Sequence, residues 1–125
     1  MILIQAFIAA AIAATATGCP WVPHSQLEGV ASWYGERYRG KPTASGELFN
    51  PDQLTAAHRD LPFGTIVTCH YGGRSVRVRV NDRGPFVKGR VIDLSRAAFA
   101  RLAHPDAGLI KIKYTTTNHK QKEAK

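Results

Sequence analysis

Apolar and polar residues alternate most cleanly from Ser75 to Asn81, where Val76, Val78 and Val80 take one face and Arg77 and Arg79 the other. That period of two predicts a strand with one buried side. The preceding run Thr65–Tyr71 (TIVTCHY) is β-branched and aromatic, and Gly72-Gly73 joins the two runs, so they read as a β-hairpin. Gly29–Gly35 (GVASWYG), Val91–Leu94 and the alternating Gly108–Tyr114 predict three more strands. Ser95 precedes the alanine-rich run Arg96–Ala103 and is a natural N-cap, which predicts a helix of about nine residues. Glu36 to Leu54 has no period and is rich in Gly, Pro, Ser and Asn, so it reads as a long loop. Residues 115–125 are polar and predict a frayed tail. Short strands with one short helix point to an all-β fold, a small β-barrel, with no repeat or second domain.

The first 18 residues carry no charged side chain. The apolar run within them, roughly 13 residues, is shorter than the ~20 that span a bilayer, and small residues follow it, as in a secretory signal peptide. Ala14-Thr15-Ala16 offers one cleavage site. Thr17-Gly18-Cys19 offers another, because a small residue before Cys resembles a lipoprotein signal that would leave Cys19 acylated and anchored to a membrane. The chain thus divides into a leader (1–18), a Pro-containing linker (19–28), a barrel domain (29–114) and the tail (115–125). The location expected is the cell envelope, periplasmic or associated with the outer membrane. Cys69 is either a free, buried thiol or, if Cys19 is not acylated, its disulfide partner.

All the ionic side chains lie beyond residue 18, 17 Lys+Arg against 9 Asp+Glu, for a net charge of +8. Such a balance predicts an anionic partner without fixing the fold. Nucleic acid is not expected, since no P-loop, helix-turn-helix or RNP pattern occurs. The five histidines are scattered without metal-ligand spacing, so neither a metal nor a cofactor is expected.

Candidate chemistry sits in the loops. Asn81-Asp82-Arg83-Gly84-Pro85-Phe86 ends the alternating strand at a proline that cannot continue the ladder, so Asp82 is held on a rigid turn. Such a carboxylate is either a general acid or a turn or arginine-paired group. Glu47, in Thr43-Ala44-Ser45-Gly46-Glu47, is a second carboxylate or a solvated loop residue; His58 is a base or a satisfied structural histidine. Two carboxylates and a histidine suit glycosidic cleavage, where an acid protonates the leaving oxygen. Trp33 and Tyr34 are adjacent on a strand, so one faces inward while the other is free to stack on a sugar. Asp93 reads as structural, tying a loop or the helix start.

Three strings in order, GVASWYGERYRGKPTASGELF, LTAAHRDLPFGTIV and RSVRVRVNDRGPFVKGRVIDLSRAAFARL, resemble the rare lipoprotein A family of bacterial lytic transglycosylases, from about Gly29 to Tyr114. The resemblance implies a six-stranded double-psi β-barrel, the fold shared with expansins and barwin-like proteins. It also implies cleavage of the MurNAc–GlcNAc β-1,4 bond of peptidoglycan with formation of a 1,6-anhydro-muramyl end. By motif, the catalytic aspartate maps onto Asp82, the supporting glutamate onto Glu47 and the histidine onto His58. Trp33, Tyr34, Ser45, Asn81, Arg83 and Phe86 are the substrate-binding positions expected with them. The partner is then a peptidoglycan glycan strand, met by a monomer. Two other readings stay open: an expansin-like protein that binds or loosens the wall without cleaving it, and a barwin-like inhibitor or partner protein.

Overall fold

The computed structural model describes residues 26–117. Six strands, β1 (Leu27–Tyr34), β2 (Thr55–Ala57), β3 (Ile66–Tyr71), β4 (Arg74–Asp82), β5 (Arg90–Ser95) and β6 (Ile110–Thr117), close into a barrel in the order β1-β5-β2-β4-β3-β6. One short helix, α1 (Arg96–Ala100), follows β5 directly. This is the six-stranded barrel with a single short helix that the resemblance implies. The leader and Cys19 lie outside the described residues, as does most of the tail.

The hairpin forms as its alternation dictates. Val76, Val78 and Val80 are buried while Arg77 is exposed and Arg79 half-buried. β3 and β4 pair from Tyr71↔Arg74 to Ile66↔Arg79. The two-residue turn between them has φ +53° at Gly72 and +85° at Gly73, the left-handed pair a tight hairpin turn requires. Inward residues of the other strands, Ala31, Val67, Cys69, Ile92, Leu94 and Ile112 among them, complete the core. Phe99 and Leu102, three apart, cover it from one side and are both buried.

The elements differ from the sequence reading in several boundaries and in one additional strand. β1 begins at Leu27, inside the expected linker, because Leu27 and Glu28 pair with Tyr114 and Lys113. β6 runs on to Thr117, three residues into the expected tail, because Thr115, Thr116 and Thr117 pair with Thr68, Val67 and Ile66. α1 spans five residues rather than nine. The N–H groups of Arg101 and Leu102 turn back to Ala98 and Phe99, and His104, ahead of Pro105, is extended. Thr55–Ala57, for which the sequence predicts no element, is a fully buried central strand between β4 and β5.

The long loop 36–54 is ordered by its own bonds. Arg39 clasps Glu36 and Asp52, and Pro42 bridges to Leu48. Two backbone bonds cross it, Gly40 N–H to Phe49 O at 2.9 Å and Phe49 N–H to Lys41 O at 2.8 Å. The loop is thereby folded back over the end of the barrel where β1 and β4 finish.

Candidate active site

Under that loop is a cavity of about 190 Å³ lined by Tyr34 from β1, Ala57 from β2, Asp82 and Arg83 from the end of β4, Asp93 from β5, and Tyr38, Lys41, Pro42, Thr43 and Phe49 from the loop. Register explains why its polar groups meet. Ala57 is the pairing partner of Asp82 on one side and of Asp93 on the other, and Asp93 in turn pairs with Ser32. Laterally paired residues share a face of the sheet. Ser32, Asp93, Ala57 and Asp82 therefore form one row across four strands, with a methyl group between the two carboxylates.

The carboxylates are held differently. Asp82 Oδ1 accepts the N–H groups of Ala44 (2.9 Å) and Arg83 (2.8 Å), which tie it to both the loop and its own turn. No donor among the described residues holds its other oxygen. Asp93 Oδ1 accepts the hydroxyl of the buried Ser32. Tyr34 stacks on Phe49, with ring centroids 4.4 Å apart, and its hydroxyl is buried with no partner among the described residues. Burial first, then the negative charges of Asp82 and Asp93, push the Tyr34 phenol well above its ordinary pKa. Tyr34 thus stays a neutral donor beside two carboxylates.

Of the residues expected from sequence, Tyr34, Asp82 and Arg83 line this cavity, and Trp33, Ser45, Glu47, His58, Asn81 and Phe86 are not among its walls. Glu47 forms a two-bond ion pair with Arg79 and accepts from Asn81 Nδ2 at 3.3 Å. The hydrogen bonds from Arg79 hold the Glu47 carboxyl below its usual range against the opposing effect of burial, with a lesser contribution from Asn81. Ser45 bonds through its hydroxyl to Thr43 and through its N–H to the carbonyl of Asn81, which is itself buried. His58 turns Nδ1 back to accept the N–H groups of Asp60 (3.0 Å) and Leu61 (3.1 Å), and burial lowers its pKa.

Arg83 donates to the carbonyls of His58 (3.1 Å) and Leu61 (2.8 Å) and lies 4.0 Å from the Phe63 ring centroid, pinning the 58–63 loop to the end of β4. Trp33 packs on Phe99 and donates Nε1–H to Pro105 O at 2.9 Å, so it is the inward member of the aromatic pair. Phe86 is 80% exposed, on the strand-end turn. Phe49, Thr43, Lys41 and Tyr38 were not singled out from sequence. The Pro42–Leu48 bridge that folds their loop onto the cavity leaves no periodic trace in so short a span. No group of three potential metal ligands occurs among the described residues, and no helix among them is long and apolar enough to cross a membrane.

Residues 26–114 match the family model described as lytic transglycolase. The chain is 53% identical over 91 residues to the probable endolytic peptidoglycan transglycosylase RlpA of Nostoc sp., an alignment covering 70% of this chain and 24% of that protein. It is 53% identical over 77 residues to the endolytic peptidoglycan transglycosylase RlpA of Campylobacter jejuni, covering 60% and 28%. The chain thus spans about a quarter of the length of the curated relatives it matches. Among solved structures, a Streptomyces papain inhibitor superposes with a TM-score of 0.64 at 28% identity, covering 78% of this chain and 99% of that one. A Clavibacter michiganensis expansin does so with 0.63 at 25% identity, covering 76% and 52%. The barrel, its motifs and a family match over most of the chain agree, and the chain belongs to the lytic transglycolase family of double-psi β-barrels.

Proposed function

We propose that this chain is a peptidoglycan lytic transglycosylase of the cell envelope, cleaving the MurNAc–GlcNAc β-1,4 bond and leaving a 1,6-anhydro-muramyl end. The observation that carries the reading is Asp82: it lines the cavity, one oxygen is fixed by two backbone N–H groups, and the other is left for a ligand. In this mechanism Asp82, protonated, gives its proton to the glycosidic oxygen as the C1–O4 bond breaks. The C6 hydroxyl of the same muramyl residue attacks C1 and loses its proton, so no water is consumed. Tyr34 offers its hydroxyl to the sugar, and Phe49 supports the Tyr34 ring from behind.

Glu47 and His58 act as supports in this scheme. Glu47, ionised beside Arg79, braces Asn81 next to the acid. His58 shapes the loop whose carbonyls receive Arg83. Phe86 extends the binding surface on the exposed rim, and Ser45 and Asn81 fix the loop against the strand. The leader directs export, Cys19 carries a lipid anchor, and the protein acts as a monomer on glycan strands.

The test is to incubate the full chain with purified sacculi and analyse the released products by mass. Anhydro-muropeptides from the wild type, absent with Asp82→Asn at unchanged thermal midpoint, support the reading. Undiminished release by Asp82→Asn removes Asp82 as the acid. Pelleting with sacculi without any product gives the expansin-like alternative instead. The mass of the membrane-extracted mature protein reports cleavage at residue 16 or acylation at Cys19.

A further inference from the structure

The reaction needs two proton transfers at separate atoms, one onto O4 and one off O6. Asp82 supplies the first. Neither Glu47 nor His58 is among the walls of the cavity, and both have their acceptor atoms engaged, Glu47 by Arg79 and Asn81, His58 Nδ1 by two backbone N–H groups. Asp93 does line it. Asp93 and Asp82 are the two lateral neighbours of Ala57, so their Cα atoms are two strand spacings apart, about 10 Å. Their side chains share that face, and the only residue between them in the row ends at Cβ. Both carboxyl groups thus face the same cavity with only a methyl group between them, which leaves room for a hydroxyl to stand between acid and base.

We infer that Asp93 is the second catalytic carboxylate of this site, the base that receives the C6 hydroxyl proton, with Ser32 as its positioning residue. The inference rests on the transglycosylase reading above and deepens it. The balance is complete. The C1–O4 bond breaks and O4 takes the proton of Asp82; the O6–C1 bond forms and the O6 proton goes to Asp93. Asp82 ends ionised and Asp93 protonated, and exchange with solvent resets the pair. Ser32 donates to Oδ1 of Asp93, which keeps a negative carboxylate in place and leaves Oδ2 to accept. The sequence reading of Asp93 as a loop or helix tie does not describe this position: the helix start is capped by Ser95, whose hydroxyl accepts the Ala98 N–H.

The experiment compares the full-length wild type, Asp93→Asn, Asp93→Ala and Asp82→Asn on purified sacculi, scoring anhydro ends, co-pelleting and thermal midpoint. Asparagine keeps the acceptor for Ser32, so folding and pelleting are expected unchanged while release falls at least ~100-fold, the usual size of a lost general base. Added formate, a small carboxylate, is expected to restore part of the activity of Asp93→Ala and none of that of Asp82→Asn. Release by Asp93→Asn within about threefold of the wild type, or no formate rescue of Asp93→Ala, overturns the inference and leaves the transglycosylase reading standing. A wild type that releases no anhydro ends overturns the reading, and the role of Asp93 with it.

Discussion

Glu47 and Arg79, 32 residues apart in sequence, are joined by two parallel bonds, Nη1 to Oε1 at 2.5 Å and Nη2 to Oε2 at 2.9 Å. The pair ties the long loop to β4 beside Asn81, alongside the Ala44–Asp82 and Ser45–Asn81 bonds. Both side chains are partly exposed, and such a pair contributes about 1 kcal/mol at most even with this geometry.

The pH dependence of that contribution follows from the lowered pKa of Glu47. A carboxylate depressed by its partner stabilises the fold above its unfolded pKa of about 4.3, and the contribution is lost as pH falls through the folded value. Urea denaturation is expected to find the wild type more stable than Glu47→Gln at pH 7. The two should converge as pH falls through the lowered folded value, where the carboxylate is neutralised.

His58 follows the same sign for a different reason. Its neutral form is favoured by burial and by the two N–H groups that Nδ1 accepts. Its contribution is present above the unfolded pKa of about 6.5 and lost as pH falls toward the lower folded value. His58→Asn keeps a side-chain acceptor for the turn and cannot titrate there. It is expected to flatten the stability profile below pH ~6.5, as read by denaturation across that range.

Tyr34→Phe removes a buried hydroxyl that has no partner among the described residues, so the unliganded fold is expected to keep its thermal midpoint or gain up to ~1 kcal/mol. Glycan should feel the loss: release from sacculi is expected to drop about tenfold, the cost of roughly one hydrogen bond. A destabilised Tyr34→Phe would mean that the hydroxyl holds the fold rather than the ligand.

Ser95 does two jobs, donating to Gln53 O at 2.5 Å and accepting the Ala98 N–H at 3.2 Å. Ser95→Ala leaves the buried Ala98 N–H without its cap, while Gln53 O keeps the Thr55 N–H, and is expected to cost about 1–2 kcal/mol by chemical denaturation.

Cys69 is enclosed in the barrel, and burial pushes its thiol up to about 12. The folded protein is therefore expected to leave Cys69 unlabelled by a thiol reagent at pH 8 and to label it fully in denaturant.

What could be read from the chain follows from range. The β3–β4 hairpin was legible to within a residue at each strand end, because Val76, Val78 and Val80 alternate with arginines and Gly72-Gly73 readily takes the positive φ of a tight turn. β2 was not, because Thr55-Ala56-Ala57 is three small residues whose strand character comes from β4 and β5 on either side. The candidate site divides the same way. Asp82 announces itself at a Gly-Pro turn. Asp93 sits in an ordinary strand sequence, and it meets the cavity only through its register with Ala57 and Ser32.

The pairing of Leu27 with Tyr114 puts the two ends of the barrel's chain side by side. From there β1 runs seven residues, about 23 Å, before Tyr34 reaches the cavity. A domain whose entrance and exit are neighbours, and whose cavity lies at the far end from both, is portable. It can be spliced into proteins four times its length, as in the relatives it matches, or be reopened at another turn with the old ends joined, while the row of Ser32, Asp93, Ala57 and Asp82 stays as it is.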